Sequence, residues 1–230
     1  MAHVLIAGGS RGIGACTAKI FENNGFNVSC FYKSHEGSTG LNIKADCSDP
    51  SSLDKGLSEA VSANGPVDIL VYCAGISSTG LVTDFGHEDY RLVMDTNFGG
   101  LFTLTSLVIP QMVSRKSGVI TAVSSMWGQT GASCESLYSA SKGAVDAYVK
   151  SLAKELGPSG IRVNAVSPGV IDTDMMNEYT DEDKTSLAEE TPLGRLGTPE
   201  EVARVIYLLS TESSSFITGQ IIGVNGGFLI

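Results

Sequence analysis

The sequence predicts a doubly wound α/β domain of Rossmann type, with a mostly parallel sheet of about seven strands and helices on both faces. Three observations predict it. Short, continuously apolar and β-branched runs alternate with longer helical patterns, as parallel strands covered on both faces require. The first such run passes directly into a glycine-rich turn, AGGSRGIG at 7–14. No linker, repeat or low-complexity tract breaks the alternation, so residues 1–230 are expected to fold as one domain.

The elements follow in order. HVLIA at 3–7 reads as the first strand, and a helical pattern at 13–24 follows the glycine turn. Strands are expected at 28–32 and, more weakly, at 41–45, then a helix at 52–63 and a strand at 67–73. A long helix is expected over 88–115, a strand at 119–124, a helix at 137–156 and a strand at 162–167. Gly157-Pro158-Ser159-Gly160 stops that last helix before its strand. Thr198 is an N-cap with Pro199 at the first helical position, which starts a helix over 199–209, and the final strand lies at 221–224. The polar, acid-rich segment 172–195 reads as a surface excursion and a mobile lid.

Bulk chemistry narrows the function. Net charge is −10, which argues against nucleic acid or an anionic membrane as the main partner, because both call for a basic face. No apolar run approaches the roughly 18 residues that cross a bilayer, and no leader-like segment opens the chain, so a cytoplasmic protein is expected. Five scattered cysteines without a C-x-x-C pair suggest reduced, mostly buried thiols. His3, His35 and His87 have no ligand-like spacing, so no metal site is expected.

In the glycine turn, Gly8, Gly12 and Gly14 let the backbone turn sharply and approach a ligand closely. Ser10, Arg11 and Ile13 complete the turn at a helix N-terminus, which suits a pyrophosphate. The spacing departs from G-x-G-x-x-G, and a purely structural turn is the alternative. The second strand ends in CFYKS, where an acid would be needed to hold a free ribose 2′-hydroxyl. Tyr32 and Lys33 stand there instead, with Arg11 nearby, which suits the 2′-phosphate of NADP(H); solvated surface charges are the alternative. Asp46, after the third strand, is placed to accept from an adenine amino group or to cap a turn.

Tyr138 and Lys142 are four apart in a helical pattern and so share one face. An ammonium beside a phenol is expected to lower a pKa that is otherwise about 10 and to fit the tyrosine for proton exchange with a carbonyl oxygen. Ser124 and Ser125 end the preceding strand, where a doubly wound sheet presents its ligand crevice, and one of their hydroxyls can bond the same oxygen.

Gly8-x-x-x-Gly12-x-Gly14, Ala74-Gly75 after the fourth strand, Asn97 in the long helix, Ser125, Tyr138-x-x-x-Lys142 and Pro168-Gly169 together resemble the short-chain dehydrogenase/reductase family over essentially the whole chain. The resemblance implies that Tyr138 is the proton donor, that Lys142 tunes it and holds the nicotinamide ribose, that Ser125 orients the carbonyl, and that Asn97 supports a water relay. It also implies that 168–173, including Pro168, Gly169, Ile171 and Thr173, lines the nicotinamide. Two departures stand out: Ala7 replaces the family's usual threonine, and Cys73 replaces the asparagine of Asn-Ala-Gly.

The tail ITGQIIGVNGG resembles the NADPH-dependent, homotetrameric 3-oxoacyl-[acyl-carrier-protein] reductases, with the helices over 88–115 and 137–156 expected to pair between subunits. A reductase serving an acidic acyl carrier protein needs basic residues at its entrance. Arg115 and Lys116 stand at one expected place, but Ser159 stands at about the other. WGQTGASCESLYS resembles a second branch, which reduces a 5-aminopentanone group carried on elongation factor P. There, Glu135 is expected to pair with the substrate's ammonium, and Trp127 to line the same pocket, while an exposed loop acid is the plain alternative. A third possibility is a nucleotide-binding sensor or scaffold that retains the fold without turnover.

Overall fold

The computed structural model describes residues 1–177 and 179–230. Seven strands form one parallel sheet in the order β3-β2-β1-β4-β5-β6-β7. They are β1 (His3–Ala7), β2 (Asn27–Tyr32), β3 (Leu41–Lys44), β4 (Ile69–Tyr72), β5 (Gly118–Val123), β6 (Ile161–Pro168) and β7 (Ile221–Val224). The helices are α1 (Gly12–Asn23), α2 (Pro50–Asn64), α3 (His87–Met94), α4 (Gly100–Arg115), α5 (Trp127–Thr130), α6 (Ser136–Leu156), α7 (Asp181–Glu190) and α8 (Pro199–Ser210). This is the doubly wound Rossmann-type fold that the alternation predicted.

Each face of the sheet carries its own core. Leu5, Phe31, Leu70 and Ile120 point to the side covered by α2, α4 and α6, where they meet Leu53, Leu104, Val108 and Val149. Val4, Ile6, Val71 and Val166 point to the other side, against Ala18 and Phe21 of α1 and Val202 and Ile206 of α8. Alternation along β1 (Val4 and Ile6 one way, Leu5 and Ala7 the other) is the period-two geometry of a strand buried on both sides. Burial at both faces therefore explains why the strands read as unbroken apolar runs.

Strand order reverses at β1, which pairs with β2 on one side and β4 on the other. Loops leaving the C-terminal ends of β1 and β4 diverge there and open a crevice. Gly8 shapes its floor: its φ is +77°, and a Cβ there would lie 2.8 Å from the Ala74 backbone. A Cβ on Gly14 would lie 2.0 Å from the Gly8 carbonyl oxygen, so α1 packs this closely only without a side chain.

Three expectations change. The long helix is continuous over His87–Arg115, but Asp95–Gly99 forms a π-turn between α3 and α4. The buried Tyr72 hydroxyl donates to the Thr96 carbonyl within that turn. Secondly, an 18-residue window of the same stretch has a mean hydropathy of 1.4, apolar enough by length and composition to cross a membrane. Scattered polar residues interrupt the apolar run without lowering the average far. Its Leu101, Leu104, Val108 and Met112 are buried against the sheet. Thirdly, the excursion at 172–195 holds a 3-10 turn (Asp174–Met176) and α7, whose Thr180 and Asp183 cap each other reciprocally. Position 178 of that segment lies outside the described residues.

Candidate active site

A cleft of about 440 Å³ lies at the switch point of the sheet. Of the residues expected to hold the cofactor, Gly8, Ser10, Arg11, Gly12, Ile13, Gly14, Tyr32, Lys33, Asp46, Ala74, Gly75 and Thr173 line it. The N-terminus of α1 faces the cleft with no capping side chain and no acid in its first turn. Its first N–H groups and positive dipole end are thus left for an anion, and the glycines leave room for one to approach. A dinucleotide pyrophosphate fits this donor set. Leu92, Thr96, Ser34, His35, Cys47 and Met175 also line the cleft and were not anticipated. Ser34 and His35 directly follow Lys33, so extending the strand-end reading by two residues would have found them.

Not every expected contact reaches the cleft. The Ile171 side chain turns into the core beside Val202 and Ile206, and its backbone bridges to Gly197. Pro168 and Gly169 are tied elsewhere: Pro168 accepts from the Met126 N–H at 3.0 Å, and the Gly169 N–H donates to Val224 at 3.1 Å. Both cations have acidic partners. Lys33 Nζ lies 2.8 Å from Asp46, and Arg11 lies 3.8 Å from Asp174 in the excursion. Asp46 also accepts from the Ser48 N–H and hydroxyl, so it closes a turn as well as lining the cleft.

Ser125, Tyr138 and Lys142 gather beside the cleft, joined to it at Gly75, where a Cβ would lie 3.2 Å from Lys142 Nζ and 3.4 Å from Asn97 Oδ1. Ser125 is buried just past the end of β5, and its Oγ accepts from the Trp127 N–H at 3.2 Å. Lys142 is 3% exposed, donates to the Val123 carbonyl at 2.9 Å and lies 5.7 Å from the centre of the Tyr138 ring. Asn97, in the π-turn, accepts from the Ile76 N–H at 2.8 Å and donates to the Ile76 carbonyl and the Ser141 hydroxyl, each at 2.9 Å. It clamps the loop after β4 to α6. Single π-turns recur at functional sites because they aim a side chain the regular helix would not.

Electrostatics here run against the sequence expectation. Burial pushes the Tyr138 hydroxyl up to about 12; a hydrogen bond with Ser125 opposes this and the charge of Glu135 adds to it. Burial drives Lys142 down to about 8. Desolvation thus outweighs the expected stabilisation of a phenolate, and Tyr138 carries its proton through the neutral range. A tyrosine in that state is a proton donor.

Glu135 is half-buried immediately before α6, and burial raises its pKa. It makes no ion pair among the described residues. Trp127 packs edge-on against Phe228 of the C-terminal tail, with ring centroids 5.6 Å apart. Phe228 is distant in sequence and had no motif to mark it. Among the described residues, no three His, Cys, Asp or Glu side chains cluster to hold a metal.

A parallel α/β sheet with a glycine-lined cleft at its switch point and a tyrosine–lysine–serine group beside it defines a nicotinamide-dependent oxidoreductase of alcohols and ketones. Residues 7–229 match the family model described as Enoyl-(Acyl carrier protein) reductase. The chain is 42% identical to the uncharacterized oxidoreductase YmfI of Bacillus subtilis, over 97% of both chains. It is 37% identical to the 3-oxoacyl-[acyl-carrier-protein] reductase FabG of Chlamydia muridarum, over 97% of this chain and 95% of the relative. Among solved structures, "ElxO with NADP Bound" aligns with a TM-score of 0.91 at 30% identity, over 99% of this chain and 98% of that one. The structure of gox2181 aligns with a TM-score of 0.93 at 30% identity, over 99% and 95%. The chain belongs to the short-chain dehydrogenase/reductase family.

Proposed function

We propose that this protein is an NADPH-dependent carbonyl reductase, working in the cytoplasm as a homotetramer. The carrying observation is the placement of Ser125, Tyr138 and Lys142 together beside the cleft that begins at the uncapped N-terminus of α1. Arg11 and Lys33 in the cleft, with no acid at the end of β2, support NADPH over NADH. A bound nicotinamide supplies the hydride. Tyr138, protonated at neutral pH, donates its proton to the carbonyl oxygen. Ser125 Oγ accepts from a backbone N–H and hydrogen-bonds Tyr138, so the two hydroxyls stand together to hold the same oxygen. Lys142 holds the ribose, and Asn97 steadies the wall between them.

Two ketones compete. The FabG relatives support a 3-oxoacyl thioester on acyl carrier protein. Arg115, one of the basic residues expected at the entrance for that partner, does not stand there. Arg115 binds the Val67 carbonyl and Asp68 just before β4, at the opposite end of the sheet from Tyr138. The carboxylate of Glu135, three residues before Tyr138 and without an ion pair among the described residues, favours a substrate with an ammonium tail, such as the aminopentanone of elongation factor P.

NADPH oxidation with an acetoacetyl thioester and with an amine-bearing ketone, for the wild type, Tyr138→Phe and Glu135→Gln, tests both levels. Tyr138→Phe should lower kcat/KM by about 10²–10⁴. Undiminished turnover would remove Tyr138 from the chemistry, and no turnover in any form would favour a non-catalytic nucleotide-binding scaffold. A preference for the aminoketone that Glu135→Gln abolishes supports the ammonium reading; a thioester preference indifferent to that change overturns it.

A further inference from the structure

Asp146 lies one helical turn beyond Lys142 on α6, and both are buried, at 5% and 3% exposure. Side chains on a helix lean toward its N-terminus, so this carboxyl leans over the turn that carries Lys142. The Ser124 hydroxyl lies beside both: it donates to the Lys142 carbonyl oxygen at 3.3 Å and favours the ionised form of Asp146. The Asp146 Oδ1 is buried with no hydrogen-bond partner among the described residues. Burying a carboxylate oxygen without a hydrogen-bond partner is costly, and an apolar residue at this place in α6 would avoid the cost. Nothing in the proposed proton transfer or cofactor cradle uses Asp146.

We propose that Asp146 is a positioning residue whose charge, one helical turn away, keeps the buried Lys142 ammonium protonated beside Tyr138. The role rests on the reading of Lys142 as a working group of the reductase. Lys142 has two titratable neighbours that favour its charge, Cys73 and Asp146. Burial pushes the Cys73 thiol up to about 12, so it stays neutral, and Asp146 is the anion of the pair. Burial pushes Asp146 itself toward the protonated form, but the Ser124 hydroxyl, Lys150 and Lys142 all favour its ionised form. The elements packed on α6 offer no substitute charge. α5 carries no charged side chain, and the π-turn and α3 expose theirs: Asp95, His87, Glu88, Asp89 and Arg91. Arg162 of β6 is bound to the carbonyls of Leu209, Thr211 and Ile217.

The direct test follows the Lys142 ammonium by NMR in lysine-labelled protein, with its signal assigned by its loss in Lys142→Met. Asp146→Asn should move the Lys142 titration down by about one pH unit, a tenfold change in the protonation equilibrium. Ser124→Ala, which removes the hydroxyl that favours ionised Asp146, should move it the same way by less and covers the case in which Asp146→Asn does not fold. In the active enzyme, the alkaline limb of kcat/KM should move down with the Lys142 titration. A merely structural role predicts a lower Tm or a uniform loss of rate with the Lys142 titration unmoved. That result in either folded variant overturns the proposal. Because the NMR readout needs no turnover, an enzyme inactive on every ketone tried would refute the reductase reading while leaving this measurement intact.

Discussion

Replacing Gly128 with alanine tests how α5 holds α6 in place. A Cβ at this position would stand 2.8 Å from the Lys142 carbonyl carbon, 2.9 Å from its Cβ and 3.0 Å from its oxygen. Carbon atoms in ordinary contact sit about 3.5–4.0 Å apart, so the methyl intrudes by about 0.7 Å. Two of the three atoms it meets are backbone, and no rotamer change relieves that. Overpacking of this kind costs about 1–3 kcal/mol. At this chain length each kcal/mol lowers Tm by about 2–4 °C, giving a fall of about 2–12 °C. Relief by moving α6 displaces Lys142, and a displacement approaching 1 Å near the chemistry costs about 10²-fold. Calorimetry and kcat/KM should therefore fall together in Gly128→Ala. The matched control is Gly157→Ala, where a Cβ meets nothing within 4 Å; it should melt within about 0.5 kcal/mol of the wild type. A Gly128→Ala protein as stable and as active as the wild type would refute the idea that this crossing positions Lys142.

Two further outcomes follow from the geometry. Lys33→Met should raise KM for NADPH about tenfold, the worth of a charge-assisted bond to a phosphate, and leave KM for NADH unchanged; equal rises in both would remove Lys33 from 2′-phosphate recognition. His3 is buried with Nδ1 2.8 Å from the Gly65 carbonyl oxygen and Nε2 2.9 Å from the Ser29 hydroxyl. Burial lowers its pKa, opposed by the Gly65 carbonyl and Asp68, so its protonation favours the unfolded chain. The stability His3 contributes is present above the unfolded value of about 6.5 and is lost as pH falls below it. Melting curves from pH 8 to pH 5 should show that loss, and His3→Gln should flatten it; an equally steep fall in His3→Gln would assign it elsewhere.

Strands and helices were legible because both faces of the sheet are buried, which turns each strand into an apolar run and each covering helix into a striped one. The glycine turn and Tyr138-x-x-x-Lys142 were legible because backbone clearance and helical spacing are local properties. The π-turn was not, because it depends on Tyr72 reaching across from β4 to Thr96. Phe228 against Trp127 and the Lys33–Asp46 pair were equally invisible, since each joins segments that meet only when the sheet closes.

By itself, the sequence determined the order of the seven strands and the main covering helices, the two-faced core and the types of side chain at the candidate site. Tertiary structure decided their charge states. Spacing put an ammonium near a phenol and suggested an acidic tyrosine; burial, which no local pattern reports, made Tyr138 a weak acid and Lys142 a weak base. Desolvation depends on everything that surrounds a group, so it exists only after the chain has folded around it.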